Sequence, residues 1–206
     1  MTFSKEEIEA LRSEIKNRLS EPRYLHTLGV AHAAKRLSEL CLPSCATELE
    51  AAALLHDITK EYSNAEQLRI IREESIVIDN EDMKTPAVLH SFTAPTVIKR
   101  DFGRFATERV LSSVLFHTMG SPEMSVFDEI IFIADFIEET RPYPSSMSVR
   151  NYVYQNMHPG KTEENVKVLH KACIASIDFT ADHLVKNKKP INSKNILTRN
   201  ALLSKI

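Results

Sequence analysis

Apolar residues recur every three or four positions along most of the chain, which is the spacing of one face of an α-helix. Within residues 23–40, the apolar positions that keep this period are Leu25, Leu28, Ala31, Ala34 and Leu37. No β-branched run alternates with polar residues over any length, and the chain has only four glycines. The pattern therefore predicts an all-α fold.

Caps, prolines and polar breaks divide this pattern into helices. Ser4 and Glu7 form a capping-box sequence, and Pro95 is expected to kink or restart the helix that begins at Pro86. The predicted helices cover residues 4–19, 23–40, 47–60, 64–74, 86–103, 106–117, 124–137, 149–157, 162–186 and 195–206. Residues 75–85 and 141–148 are predicted loops. We expect a helical bundle over residues 1–186. A C-terminal extension over residues 187–206, which consists of a solvated linker and a helical tail, is expected to pack on this bundle.

Composition narrows the class of protein. The net charge of -2 gives no basic footprint for nucleic acid, and no apolar run reaches the roughly 18 residues of a membrane span. The first residues lack the basic and apolar regions of a secretion signal, so a cytoplasmic protein is expected. Three cysteines without a C-x-x-C pair predict reduced thiols.

His56 and Asp57 stand side by side after the apolar run A51-A-A-L-L55, which is apolar on nearly every helical face. Both are ligand types for borderline metal ions. His26 and Asp135 also lie in apolar surroundings, where an unpaired imidazole or carboxylate is costly. Two imidazoles and two carboxylates leave coordination positions open for water or phosphate on iron, manganese or a similar ion. The sequence therefore predicts a metal-dependent hydrolase.

Further polar residues are candidates for a phosphate site. His90 and His117 suit a second metal site or hydrogen bonds to phosphate, and the sequence leaves both open. The cations Arg23, Lys60 and Arg141 lie near the predicted ligands along the chain and suit a polyphosphate substrate.

Each of these residues also has an ordinary interpretation. A single histidine on an apolar helix is usually a core residue, and a single cation is usually a surface charge. We assign that interpretation to His32, His158, His170 and His183. Glu138 and Glu139 either orient a ligand or water, or form a solvated helix end; we favour the helix end.

The ordered pattern of His26, His56-Asp57 and Asp135 resembles the HD-domain metal phosphohydrolases. The segments R-Y-L-H-T-L-G-V (23–30), L-L-H-D-I-T-K (54–60), F-H-T-M-G (116–120) and T-R-N-A-L-L (198–203) resemble one bacterial family. That family is the YqeK-type symmetrical bis(5′-nucleosyl)-tetraphosphatases, and the resemblance covers about residues 5–203. It implies an HD-domain helical bundle that uses iron, or alternatively Mn, Zn or Mg, to cleave diadenosine tetraphosphate into two ADP.

The resemblance also implies a role for individual residues. The positions that match metal ligands are His26, His56, Asp57 and Asp135. The positions that match phosphate-holding groups are Arg23, Lys60, His90, His117 and Arg141. The C-terminal Arg199 and Asn200 match residues that close over the nucleotide. The expected catalytic residues are Asp57, Lys60, His90 and His117, with protonated His90 or His117 assisting the leaving group.

Two segments depart from the usual pattern of this family, and two other functions stay open. Ala94–Pro95 replaces a glycine-containing stretch after His90, and Thr140 stands where Pro-Gly usually precedes Arg141; both affect the expected substrate preference. One alternative is an HD phosphohydrolase of a dNTP, a nucleoside monophosphate or a guanosine alarmone. The other is a non-catalytic nucleotide-binding module. Apolar positions on the helix predicted for residues 162–186 suit a homodimer face or a core face equally.

Overall fold

The computed structural model describes residues 3–206, and within this range the regular structure is helical with no strand. The α-helices are α1 (Lys5–Arg18), α2 (Glu21–Cys41), α3 (Ala46–Leu55), α4 (Asn64–Glu73), α5 (Asn80–Met83), α6 (Leu89–Asp101), α7 (Glu108–Phe116), α8 (Val126–Ile137), α9 (Pro144–Asn156), α10 (Thr162–Lys186) and α11 (Ser193–Leu203). Short 3-10 helices cover Pro43–Cys45, Pro86–Val88 and Gly103–Phe105. The all-α prediction is confirmed.

The core forms around α3, α2 and α8. Helix α2 packs against both α3 and α8, α7 also packs on both, and α10 covers α8 and α9. The apolar run of α3 is buried on every side, from Ala51 to Leu55. A helix that is apolar all round must be enclosed by others, so the polar residues that follow α3 begin at the centre of the bundle.

Four predicted boundaries differ from the structure. Helix α3 ends at Leu55 rather than near residue 60, and turns follow over residues 56–61. The predicted loop at 75–85 contains the short helix α5, and α9 begins at Pro144 rather than residue 149, because proline fits the first position of a helix. Helix α6 runs through Pro95 without restarting. The flanking Ala94 and Val97 are fully buried, and their packing offsets the missing backbone donor.

The C-terminal tail packs on the bundle through α10 and is tied to it by ionic contacts. Lys194 pairs with Asp82, which is fully buried, and Asn192 Nδ2 donates to the same carboxylate at 2.7 Å. The end of the predicted solvated linker is therefore bound to the bundle. The division of the chain at residue 186 stays a prediction. Over residues 3–206, no helix has both the length and the apolar character needed to cross a membrane.

Candidate metal centre

His26, His56, Asp57 and Asp135 converge at one end of the buried helices. His26 lies on α2 and Asp135 on α8, while His56 and Asp57 follow the end of α3. Asp135 Oδ1 is 3.1 Å from His26 Nε2 and 3.9 Å from His56 Nε2. The ligand atoms of His26, His56 and Asp135 all lie within 4.8 Å of one another. Asp57 Oδ2 faces the same two rings, at 3.7 and 3.5 Å.

A second group of ligand atoms adjoins the first on the other side of Asp57. Asp57 Oδ1 is 3.2 Å from His90 Nε2 and 3.6 Å from His117 Nε2. The two imidazole nitrogens are 3.0 Å apart. His56, Asp57 and His117 form another set whose ligand atoms lie within 4.8 Å. The two oxygens of Asp57 therefore point to two neighbouring sites.

The backbone fixes which ring nitrogen the histidines present. His56 Nδ1 is 2.7 Å from the Ala53 carbonyl, and His117 Nδ1 is 2.6 Å from the Val114 carbonyl. A carbonyl oxygen only accepts, so Nδ1 of both rings carries the proton. Nε2 then holds a free lone pair directed into the centre, as in histidines that bind metals.

The donor set fits a divalent metal ion. Nε2 of His26 and Nε2 of His56 are buried and form no hydrogen bond of acceptable geometry with any residue of the described range. A buried nitrogen without a partner costs free energy. A metal at this point offers both nitrogens a bond, and two imidazoles with two carboxylates suit iron, manganese or zinc.

Arginine and histidine side chains hold the two carboxylates in their charged form. Arg23 Nη1 is 2.7 Å from Asp57 Oδ2, and Arg141 Nη2 is 2.5 Å from Asp135 Oδ1. Burial raises the pKa of Asp135, but Arg141 and the neighbouring imidazoles outweigh it and hold that pKa well below the usual value. Burial also opposes the charge of Asp57, yet the surrounding histidines hold its pKa well below the usual value. Both carboxylates are therefore anions ready to bind a cation.

His90 and Lys60 lie together on the far side of Asp57. Lys60 Nζ is 3.3 Å from both ring nitrogens of His90, and burial lowers the pKa of Lys60. Burial, with the nearby cations, lowers the pKa of His90 to about 4. His90 is therefore neutral at pH 7, which disfavours the predicted role of a protonated His90 as proton donor.

A polar network behind His90 fixes its backbone. The Thr59 hydroxyl donates to the His90 carbonyl at 3.0 Å, and Gln67 Nε2 donates to the Thr59 carbonyl at 2.8 Å. Thr59, Gln67 and Thr93 are buried and hydrogen-bonded to one another. The family departure at Ala94–Pro95 therefore lies in a helix that still presents His90 to the centre.

Glu138 is a site residue that the sequence interpretation placed at a solvated helix end. Its side chain is 1% exposed, and its Oε1 lies 3.2 Å from His26 Nδ1. The Thr140 backbone N–H donates to Oε2 at 2.7 Å. Glu138 follows Asp135 by three residues, one helical turn, which was the available signal. Glu139 is exposed, as expected of a helix end.

Arg199 and Asn200 are not brought to the centre. The inward positions of α11 are Asn195, Thr198 and Leu202. Arg199 instead pairs with Asp178 of α10 at the surface, and Asn200 is exposed. Their contact with a nucleotide therefore stays a prediction that this arrangement does not support.

His170 is a core histidine with a partner, in line with the ordinary interpretation given to it. It is buried, and its Nδ1 lies 2.6 Å from Oε2 of Glu129, which is fully buried.

Three cavities surround the candidate centre. A cavity of about 280 Å³ opens beside His26, Arg23 and Arg141. It shares Arg141 and Tyr143 with a cavity of about 430 Å³ that Phe179 also lines. A third cavity, of about 570 Å³, begins at Ala87 and Thr118, next to His90 and His117, and shares Thr180 with the second cavity. The centre therefore has space for a ligand beside both ligand groups.

The profile of the HD domain matches residues 23–139, which contain both ligand groups. The chain belongs to the HD-domain family. Two relatives are named "Bis(5'-nucleosyl)-tetraphosphatase, symmetrical". The protein from Bacillus subtilis is 30% identical over 92% of this chain and 94% of its own length. The protein from Halalkalibacterium halodurans is 32% identical over 92% and 93%.

A solved structure shares this fold. It is described as a predicted HD superfamily hydrolase involved in NAD metabolism from Clostridium acetobutylicum. It is 27% identical to this chain, the match covers 100% of both chains, and the two superpose with a TM-score of 0.82. The resemblance predicted from the motifs is thus confirmed at the level of family and fold.

Proposed function

We propose that this HD-domain protein is a metal-dependent hydrolase that cleaves diadenosine tetraphosphate symmetrically into two ADP. The observation that carries the proposal is the convergence of His26, His56, Asp57 and Asp135, with cavities beside both ligand groups. Both relatives are named as symmetrical bis(5'-nucleosyl)-tetraphosphatases, which supports diadenosine tetraphosphate as the substrate. The four ligand-type residues are all present, which argues against a non-catalytic module.

The proposed substrate lies along the centre with one nucleoside in each of two cavities. Cavities of about 430 and 570 Å³ lie within the size range of small-molecule sites. Tyr143 and Phe179 offer aromatic surface for a base in the cavity of about 430 Å³. A symmetrical cut requires the middle phosphates at the metal and a nucleoside at equal distance on either side. A mononucleotide, by contrast, would use only one of the two cavities.

Cations placed along the centre receive the phosphates. Arg23 and Arg141 lie on the His26 side, and Lys60 lies on the His90 side. Their charge stabilises the negative charge that develops on the bridging oxygen in the transition state. Arg141 contacts Asp135 despite Thr140 in the preceding loop, so this departure leaves the cation in place.

The reaction adds one water across the central anhydride. When bound, the metal supplies Lewis-acid chemistry, because it polarises a phosphoryl oxygen and makes a water more acidic. Water oxygen joins one of the two middle phosphorus atoms, the bond from that phosphorus to the bridging oxygen breaks, and ADP leaves. His26, His56, Asp57 and Asp135 hold the centre, while His90 and His117 bind a second metal or the phosphate.

A substrate panel tests this function. The protein is purified without chelator, its metal is measured, and the products of diadenosine tetraphosphate, dNTPs, a nucleoside monophosphate and a guanosine alarmone are separated by chromatography. ADP as sole product from the first substrate supports the proposal. Preferred turnover of another nucleotide, or ADP binding without turnover with any metal, contradicts it. Asp57→Ala loses metal and activity, whereas Asp182→Ala, an exposed aspartate on α10, keeps both.

Three finer features belong to this proposal. Iron is the proposed metal, with Mn, Zn or Mg as alternatives, and elemental analysis of the purified protein distinguishes them. The proposed location is the cytoplasm. A homodimer stays a prediction, which light scattering tests. The apolar residues Leu169, Ala172 and Ile177 of α10 are buried in the core of the single chain, so these positions form a core face.

A further inference from the structure

Thr118 joins the second ligand group to the cavity of about 570 Å³. Its hydroxyl oxygen lies 3.0 Å from His117 Nε2 and 3.3 Å from His90 Nε2. Nδ1–H of His117 donates a hydrogen bond to the Val114 carbonyl. Nε2 of the same ring is therefore the acceptor, and the Thr118 hydroxyl is the donor of the hydrogen bond between them. The hydroxyl therefore helps to fix the His117 ring beside this cavity.

The turn that carries Thr118 is pressed against the C-terminal helix α11. Gly120 has a positive φ of 73°, and its N–H donates to the Phe116 carbonyl at 2.8 Å. A Cβ at this glycine would lie 2.6 Å from Cγ2 of Thr198 on α11. Both the backbone angle and this close approach require glycine. The turn and the tail thus fit each other closely.

Asn195 supplies the shorter of two polar contacts between tail and turn, because the Thr198 hydroxyl also lies 3.5 Å from the Met119 carbonyl. Its Nδ2 donates to the Met119 carbonyl at 3.1 Å, and the side chain is buried. This carbonyl belongs to the residue directly after Thr118. Without Asn195 this buried carbonyl keeps only the more distant Thr198 hydroxyl and pays a desolvation cost, and the turn gains freedom to move.

Helix α11 is itself held at both ends. At its start, Lys194 pairs with Asp82 and lies 2.8 Å from Asp79. After its end, Lys205 Nζ lies 3.0 Å from both Oε1 of Glu129 and the Met124 carbonyl. Asn195 therefore lies on a helix that contacts at both of its ends hold in place on the bundle.

We infer that Asn195 is a positioning residue for the reaction centre. Through the Met119 carbonyl it holds the Thr118 hydroxyl against His117 and His90, which makes the C-terminal helix part of the centre. Its kinetic consequence rests on the proposed hydrolysis of diadenosine tetraphosphate.

A double-mutant cycle tests this coupling. Asn195→Ala and Thr118→Val each lower kcat roughly tenfold with little change in KM. Displacement of the His117 ring or the Thr118 hydroxyl slows the chemical step but leaves the binding of the substrate largely unchanged. The double variant is no slower than Thr118→Val alone, since Asn195 acts through Thr118. Ile196→Ala, on the exposed face of the same helix, keeps wild-type kinetics. Fully additive losses, or an Asn195→Ala variant as fast as wild type, overturn the inference.

A second readout does not depend on activity. Ring ¹⁵N spectra of the metal-free protein report the four histidines of the centre. Asn195→Ala shifts the signals of His117 and His90 and leaves those of His26 and His56 in place, while Ile196→Ala shifts none. Unchanged His117 and His90 signals in the folded Asn195→Ala variant overturn the positioning role.

The two readouts also separate the two proposals. If the wild type does not cleave diadenosine tetraphosphate but the ring signals shift as expected, the proposed function fails and the positioning role stands. If Asn195→Ala does not fold, Asn195→Asp replaces it, because aspartate has the same shape and lacks the donor.

Discussion

Glu138→Gln is the perturbation whose effect on the metal centre follows most directly from the contacts. Oε1 of Glu138 accepts from His26 Nδ1, and Oε2 accepts from the Thr140 N–H at 2.7 Å. A glutamine has one oxygen and one NH₂ group, so one of these two donors must face another donor. Because the side chain is 1% exposed, water does not relieve this conflict. The His26 ring is then no longer held with Nε2 directed at the metal.

The expected magnitude is a loss of metal affinity of about tenfold, or about 1.4 kcal/mol. Removal of a partner behind a metal-binding histidine costs roughly ten- to a hundredfold. We expect the lower end because the contact between Glu138 and His26, at 3.2 Å, is longer than a strong charged hydrogen bond.

Manganese titration calorimetry on the metal-free variants at pH 7.5 measures this loss. Glu139→Gln is the matched control, since the neighbouring side chain is exposed and should leave the affinity unchanged. Gly29→Ala is an independent perturbation, because a Cβ there would lie 2.4 Å from Oε2 of Glu138 and displace the carboxylate. An affinity of Glu138→Gln within twofold of wild type, or an equal loss in Glu139→Gln, would refute the reasoning.

Two further predictions concern stability. Asp101→Asn lowers the free energy of unfolding by about 1–2 kcal/mol at pH 7, because Arg100 and Arg18 lower the pKa of Asp101 to about 2. The carboxylate's contribution is present above about pH 4 and is lost as the pH falls through about 2, so urea melts of the two proteins should converge there; a constant difference would contradict this. Leu54→Ala, at a fully buried position of α3, lowers the unfolding free energy by about 2–5 kcal/mol, and a loss under 1 kcal/mol would place Leu54 outside the core.

The helical pattern predicted most of the fold because burial and the helical period act locally. The long helices α2, α3 and α10 follow the spacing of apolar residues, and α3 is enclosed because it is apolar on every side. The ends of helices were predicted less well. Pro95 remains inside α6 because tertiary packing outweighs a local preference, which no single segment reveals.

Part of the candidate site could likewise be predicted from local sequence, and part could not. The sequence indicated ligands because imidazoles and carboxylates stood out in apolar runs, as at Asp135. For Glu138 it offered the role of orienting a ligand only as the less favoured interpretation, because that role depends on a contact with His26 of another helix. Asn195 and Thr118 were missed, because Asn195 reaches the Thr118 turn only through the carbonyl of Met119, which lies 76 positions away along the chain.

The most direct test of the account is hydrolysis of diadenosine tetraphosphate in ¹⁸O-labelled water by the metal-loaded protein, with products identified by mass spectrometry. ADP is expected as the sole nucleotide product, with the label on half of the ADP molecules, because one water oxygen enters per cleaved central anhydride. ATP with AMP, or no turnover by protein that has bound its metal, would contradict it.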